Sequence, residues 1–260
     1  MLKSFYNELL RRNRLLALFG LLDFAAAALM LVLMQSDSHE ILGINRWIKP
    51  FKFFASVGIW SWSMAWYLVY LKNQRAVTIY NRMFVILMTL ELSAIAGQAA
   101  RGVPSHFNIA TPFDGMIYSL MGIVILTVTL WTLYMNVLFF RQKEFTIPMS
   151  YVWGIRLGLV LFIVACFEGG YMSGRFSHSV GGEDGGPGLP LLNWSTQFGD
   201  LRVAHFIGLH ALQLLPLFGY WISKRNPAGS VRFTQSFAVA YFLAFLILLL
   251  QALQSVPLIG

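Results

Sequence analysis

Charged residues are scarce in this sequence. Only 12% of its 260 residues are Asp, Glu, Lys or Arg, whereas 57% are hydrophobic, and about a quarter of the residues in a soluble domain are charged. So few charges could not cover the surface of a soluble fold, but a surface that faces lipid needs no such cover. The sequence therefore predicts a membrane protein whose first partner is the lipid bilayer.

Cysteine and several catalytic motifs are also lacking. The single cysteine, Cys166, lies in an apolar run, so an intrachain disulfide is excluded. There is no Gly-x-x-x-x-Gly-Lys-Ser/Thr phosphate loop, no Gly-x-Ser-x-Gly elbow and no His-Glu-x-x-His pair. The last apolar segment contains no lysine, which disfavours a retinal Schiff base. The sequence thus lacks the usual signatures of phosphate-loop, serine-hydrolase and zinc-protease chemistry.

Long apolar segments, by contrast, are abundant. Seven of them approach the roughly 20 residues that a helix needs to cross a bilayer, and they do not alternate in polarity as β-barrel strands do. They are Leu15–Met34, Phe53–Leu71, Met83–Ala100, Met116–Phe139, Val152–Met172, Val203–Ile222 and Phe237–Val256. This pattern predicts an all-α, polytopic transmembrane helix bundle with seven spans in a single domain over 1–260. The alternative is six spans, with the second segment re-entrant.

The basic residues indicate how the bundle is oriented. Thirteen of the nineteen lysines and arginines fall in the N-terminal segment and on the side of the membrane that the seven-span arrangement assigns to it. Only two acidic residues share that side, and seven lie on the other. Because cytoplasmic loops are enriched in Lys and Arg, the N-terminus is predicted to be cytoplasmic and the C-terminus extracytoplasmic. The net charge of +8 is then explained by basic residues that face anionic lipid headgroups, and no nucleic-acid partner is predicted.

One connection between the apolar segments is unusually long. Residues 173–199, on the outer side, are rich in glycine and proline, and we call them the glycine-rich loop. A loop of this length is usually either a functional lid or disordered. The apolar stretch Leu189–Trp194 favours a lid packed on the mouth of the bundle.

Three ionisable residues are predicted to lie deep in the membrane: Asp23, Glu91 and His210. A charge at that depth costs at least about 2.5 kcal/mol, so each side chain should face the protein interior and find a partner. The functional interpretation is a proton or ion relay, or a set of ligands, and the structural one is an interhelical hydrogen bond. We favour function for Glu91 paired with His210, since histidine titrates near neutral pH.

Other polar residues extend this pattern towards the outer surface. Glu91 and Gln98 share a helix face with Arg101, and Asp114 opens the next span, where capping of the helix is its simplest role. His205 could meet His106 or Glu168, and His210 shares a face with Gln213. The residues predicted to form a ligand or proton site are Glu91, Gln98, Arg101, His106, Asn108, Asp114, Glu168, His205, His210 and Gln213. Lys49 and Lys52 lie on the same side, where they either snorkel to lipid phosphate, attract an anionic ligand or pair with Glu168 or Glu183.

Three functional hypotheses follow from these residues. The first is an outward-opening polar cavity for binding, or for proton-coupled transport, of a small ligand or ion. The second is a membrane enzyme with a metal held by His106, His205 or His210 together with Asp114 or Glu168. Haem is disfavoured, although His106 and His205 are two histidines that could face each other at matched depth. The third hypothesis is a structural or assembly subunit, and association of the chain with itself remains open.

Four segments carry a resemblance to known sequences. They are Gly185–Ser195, Asp200–Gln213, Lys49–Phe53 and Arg101–Asn108. In these segments the chain resembles a group of multi-pass bacterial inner-membrane proteins of unknown function. The resemblance implies a location in the bacterial cytoplasmic (inner) membrane, and it implies no activity and no cofactor.

Overall fold

The computed structural model describes residues 2–260, with side chains from Lys3 onward, and most of these residues are helical. Its eight helices are α1 (Leu2–Arg12), α2 (Arg14–Ser36), α3 (Ile48–Tyr67), α4 (Gln74–Ala100), α5 (Pro112–Arg141), α6 (Met149–Arg175), α7 (Leu201–Arg225) and α8 (Ser230–Leu253). Four two-residue strands form two antiparallel pairs: β1 (Glu40–Ile41) with β2 (Ile44–Asn45), and β3 (Ser179–Val180) with β4 (Gly199–Asp200). The predicted all-α class is confirmed.

Six helices within residues 2–260 are long and apolar enough to cross a membrane, namely α2 and α4 to α8. The helices begin and end beyond most of the predicted apolar segments, because polar residues at their ends continue the same hydrogen-bond pattern. The second predicted segment is shifted instead: α3 begins at Ile48 and takes Lys49 and Lys52 into its first two turns. Pro50 therefore lies inside the first turn of α3, where a missing N–H costs no hydrogen bond.

The chain divides into two compact units, Met1–Trp131 and Thr132–Gly260, and the division falls within α5. In the first unit, α2 and α3 pack as a close antiparallel pair. A Cβ on Gly20 would lie only 2.4 Å from Trp62 Cδ1 and 3.1 Å from the Gly58 carbonyl oxygen. Ser61 Oγ donates to the carbonyl of Leu16 at 2.8 Å, and Trp62 Nε1 donates to that of Ala17 at 3.0 Å. Small residues and side-chain donors thus join two helices that have no hydrophobic reason to associate in lipid.

In the second unit, α6 and α7 approach each other even more closely. A Cβ on Gly154 would lie 2.5 Å from the carbonyl oxygen of Leu215, and one on Gly158 would lie 2.7 Å from that of Ala211. Gly208 likewise faces Ala165, with a Cβ distance of 2.6 Å. A helix pair packed backbone to backbone positions its side chains with little freedom, and this fixes the geometry of the polar residues described next.

Candidate ligand and proton site

Asp114 lies at the centre of a polar cluster in the first unit. Its Oδ1 accepts hydrogen bonds from Gln98 Nε2 at 2.9 Å and from Arg101 Nη1 at 2.6 Å, and its Oδ2 accepts one from the Thr111 hydroxyl at 2.7 Å. Thr111 Oγ1 in turn accepts from the Asp114 backbone N–H at 3.1 Å, so the threonine caps α5 just before Pro112. The structure brings three predicted site residues together here, and every carboxylate oxygen of Asp114 is bonded.

Glu91 lies on α4, two turns before Gln98, and its carboxyl group is bonded less completely than that of Asp114. Its side chain is buried, and Oε2 has no hydrogen-bond partner within residues 2–260. The positive charge of Lys49, from the first turn of α3, acts on the Glu91 carboxyl group. Glu91 is not among the partners that the sequence pattern proposes for Lys49, so this interaction is a finding of the structure. Asp23 on α2 is similarly buried, and its Oδ2 also lacks a partner within the described residues.

His106 lies in the turn between α4 and α5, also within the influence of Lys49. Burial, together with the Lys49 charge, lowers the pKa of His106 well below its ordinary value, so the imidazole is neutral at neutral pH. Its Nδ1 lies 3.1 Å from Ser105 Oγ, and its ring lies 5.3 Å from that of Phe53. Asn108 holds the turn itself, donating to the Pro104 carbonyl at 3.0 Å.

Glu168 and His205 form a pair in the second unit. His205 Nδ1 lies 2.9 Å from Glu168 Oε2 and 2.9 Å from the carbonyl oxygen of Ala165. Because a carbonyl oxygen only accepts, Nδ1 carries the proton, and in the neutral imidazole Nε2 is the acceptor. Gly169 leaves room for the ring, since a Cβ there would lie 2.8 Å from His205 Cε1. Glu168 is buried, and its Oε1 has no partner within residues 2–260.

His210 lies five residues beyond His205 on α7, about 140° further round the helix. It is hydrogen-bonded to the Gln213 side chain, as their shared helix face predicts. Its ring contacts that of Phe206 at 4.3 Å, and Phe206 contacts Trp194 of the glycine-rich loop at 5.5 Å. The loop therefore packs on the same part of α7 that carries His210.

The glycine-rich loop is held by two aspartates that the sequence pattern did not single out. Asp200 caps α7 and accepts from the Arg202 guanidinium at 2.9 and 2.6 Å and from the Ser195 N–H at 2.8 Å. Asp184 accepts from Ser177 Oγ and from the Ser179 N–H, both at 2.9 Å. An aspartate immediately before an apolar helical run is a capping signal, so the capping role of Asp200 could have been predicted from the sequence.

Electrostatics distinguish these loop aspartates from ordinary ones. Burial acts to raise the pKa of Asp200, but the Arg202 hydrogen bonds and charge, the Ser195 N–H and the His178 charge outweigh it, and the pKa is lowered. Burial also opposes the shift at Asp184, where the charge of His178 and bonds from Ser179 and Ser177 lower the pKa. Both groups are therefore ionised at neutral pH.

The predicted metal and deep-pair arrangements have no direct counterpart in these contacts. Within residues 2–260, no three His, Cys, Asp or Glu side chains form a group suited to a metal ion. His106 belongs to the first unit, and His205 and His210 belong to the second. Glu91 and His210 also belong to different units, so their pairing stays a prediction.

Comparisons of the chain with protein-family models, with curated proteins and with solved structures found no match.

Proposed function

We propose that this integral membrane protein binds a small ligand or ion at polar sites within its helices and exchanges protons there, as a binding or proton-coupled transport protein. The observation that carries the proposal is shared by three buried carboxyl groups. Asp23, Glu91 and Glu168 each keep one oxygen without a hydrogen-bond partner within residues 2–260. A buried polar atom left in this way costs about 1–3 kcal/mol, which a bound proton or ligand would offset.

Glu91 is the residue on which we expect coupling to depend. Its carboxyl group interacts electrostatically with Lys49, and the same lysine charge acts on the neutral imidazole of His106. If Glu91 is ionised, its charge and that of Lys49 attract each other, and if Glu91 is protonated, this attraction is lost and Lys49 attracts an anion more strongly. Such an exchange of partners would couple a proton to a ligand. Gln98 and Arg101, tied to Asp114, would line the route to the outer surface.

Proteoliposomes test this role directly. Purified protein is reconstituted with an entrapped pH-sensitive dye, and a potassium gradient with valinomycin sets the membrane potential. We expect the wild type to take up protons and Glu91→Gln to lose the uptake, since glutamine keeps the shape and cannot ionise. Infrared spectroscopy of the same samples should show a protonated-carboxyl band that Glu91→Gln removes.

Glu183→Gln is the matched control, because Glu183 is exposed in the glycine-rich loop. It should retain the wild-type proton flux. Unchanged flux in Glu91→Gln would contradict the assignment, as would wild-type vesicles that conduct no protons and show no carboxyl band.

We further propose seven spans in a bacterial inner membrane, with the N-terminus cytoplasmic. The support comes from both ends of the α2–α3 pair. Arg12, before α2, donates to Tyr70 OH at 2.7 Å, just after α3, and Asp37, after α2, accepts from Trp47 Nε1 at 2.8 Å, just before α3. The α3 helix therefore returns along the whole length of α2, and its 20 residues would span about 30 Å.

Cysteine labelling of intact cells decides between seven and six spans. In a Cys166→Ser background, Glu40→Cys should react with an impermeant maleimide from outside, and Arg75→Cys only after permeabilisation. Both positions are exposed in the structure. Labelling of both from the same side would make α3 re-entrant.

The Glu168–His205 pair favours an enzyme as the second candidate. A carboxylate beside Nδ1 orients the imidazole and leaves Nε2 as a proton acceptor, the arrangement of a general base or of a metal ligand. Elemental analysis of the purified protein separates the two readings. A stoichiometric metal that is lost in His205→Gln would support the enzyme, whereas metal-free protein with proton flux would support transport.

A further inference from the structure

The glycine-rich loop contains a histidine placed between a buried and a partly buried carboxylate. His178 Nδ1 lies 3.2 Å from Asp184 Oδ1 and 3.8 Å from Asp200 Oδ1. The Asp200 side chain is fully buried, and those of Asp184 and His178 are 14% and 17% exposed. The three residues come from the loop and from the start of α7, so their attraction joins one to the other.

The backbone around His178 ties the same elements together. Ser179 pairs with Asp200 in the β3–β4 ladder, and the His178 carbonyl accepts from the Leu201 N–H at 3.0 Å. The His178 N–H donates to Asp184 Oδ2 at 3.3 Å. A change in the charge of this one side chain therefore acts on the contact between the loop and the N-terminal end of α7.

We propose that His178 is a proton-operated latch: its protonated imidazole joins Asp184 to Asp200 and holds the glycine-rich loop on α7, and loss of the proton loosens the loop. Trp194, which packs on Phe206 beside His210, moves with the loop. The latch thus controls the covering of that part of α7 by pH. It stands independently of the proposed transport function, because it concerns only the contacts of the loop.

The sign of the effect follows from the surrounding charges. The His178 charge helps to lower the pKa of both Asp184 and Asp200, and because an electrostatic coupling is mutual, the two carboxylates favour the protonated imidazole. An imidazole in the unfolded chain titrates near pH 6.5, so the latch is complete below about that pH and is lost at higher pH. The carboxylates remain ionised throughout this range.

The other charged groups near the latch do not replace His178. Arg202 bonds both oxygens of Asp200 and carries a permanent charge, so it holds Asp200 at every pH. Arg175 and Glu183 are exposed. The α8 helix packs against both β3 and β4, and its one charged residue, Arg232, lies at the opposite end.

Hydrogen exchange of the full-length protein measures the latch. Peptides covering residues 176–201 are followed by mass spectrometry from about pH 5 to about pH 8, a range centred on the ordinary histidine pKa. The wild type and His178→Gln are compared at each pH, so that the intrinsic pH dependence of exchange cancels. We expect exchange in the wild type to be about tenfold slower than in the variant near pH 5, since a coupling equivalent to one pKa unit is tenfold, and nearly equal near pH 8.

Two controls make the outcome specific. His39→Gln removes an exposed histidine that pairs with Asp37 in the first unit, and it should leave exchange in 176–201 unchanged. Glu91→Gln should retain the pH-dependent protection of the loop even if it abolishes proton flux. A wild-type to His178→Gln ratio that does not vary with pH would overturn the latch. If His178→Gln does not fold, the wild-type exchange corrected for intrinsic rates must itself show the transition, and a flat profile would equally overturn it.

Discussion

Seven of the eleven Asp and Glu side chains of this protein fall into two classes that differ in how completely they are bonded. Asp37, Asp114, Asp184 and Asp200, at helix ends and in loops, have partners on both oxygens. Asp23, Glu91 and Glu168, inside apolar helices, each keep one oxygen without a partner within the described residues. The first class fixes the structure through hydrogen bonds, whereas the second retains the capacity to bind a proton or ligand.

The largest effect on stability is expected at Asp200, which belongs to the fully bonded class. Asp200→Asn removes the negative charge that pairs with the Arg202 guanidinium. The Asp200 side chain is fully buried. Because breaking a buried pair leaves an uncompensated charge, we expect a loss of about 3 kcal/mol in the free energy of unfolding. Denaturant unfolding of purified protein measures it, with the exposed Glu183→Gln as the control that should change nothing. A loss no greater than in Glu183→Gln would remove Asp200 from the bonded class.

A smaller loss is expected when Asp114 is removed. Asp114→Ala leaves Gln98 buried without its acceptor and takes away the hydroxyl contact of Thr111. The Arg101 side chain is 43% exposed, so its charge pair is screened and adds little. We expect a loss of about 2 kcal/mol from the unmade hydrogen bonds. Thr111→Ser, which keeps the hydroxyl group, should be close to wild type in the same unfolding measurement.

Sequence patterns predicted the helices that carry both classes of carboxyl group, but they predicted only some of the hydrogen bonds that these groups make. Apolar length predicted the helices because lipid leaves a chain no other way to satisfy its backbone groups. The helical spacing of Gln98 and Arg101 predicted that they share a polar face. Glu168 was one of two predicted partners for His205, because both residues were expected at a similar depth in the membrane.

The remaining features depend on contacts that a single sequence does not encode. Lys49 acts on Glu91 only because α3 begins earlier than its apolar segment, which hydropathy does not reveal. The close approach of α6 to α7 depends on which face of each helix carries Gly154 and Gly208. His178, Asp184 and Asp200 meet through a loop with no periodicity, so their spacing in the chain has no geometric meaning.

Acid sensitivity distinguishes the bonded class from ordinary carboxylates. The pKa of Asp184 and that of Asp200 lie below the unfolded value of about 3.9. Their contribution to stability is therefore complete above that value and is lost as the pH falls through the lower, folded pKa. We expect the stability difference between wild type and Asp200→Asn to be undiminished from about pH 7 to about pH 5, where protonation of His178 adds to it, and to shrink only below about pH 4. A difference that already shrank between pH 7 and pH 5 would mean that burial raises the pKa of Asp200 above its ordinary value instead of being outweighed.

The smallest effect on stability is expected at Glu91, although its effect on proton flux should be the greatest. Glu91→Gln removes a carboxyl group whose Oε2 has no partner to lose, so we expect a change within about 1 kcal/mol in the same unfolding measurement. Lys49→Met should then behave as a matched partner: it removes the counter-charge, and combined with Glu91→Gln it should destabilise less than it does alone.

Stability and proton flux, measured together for Glu91→Gln, decide whether the two classes of carboxyl group are distinct. A stabilising role for Glu91 would make Glu91→Gln as costly as Asp200→Asn, with proton flux lost only because the protein unfolds. A ligand role requires the opposite result, a folded protein with unchanged stability and no proton flux. The carboxyl group that contributes least to the fold would then be the one on which proton exchange depends, since an atom already committed to a structural hydrogen bond is not available to a proton.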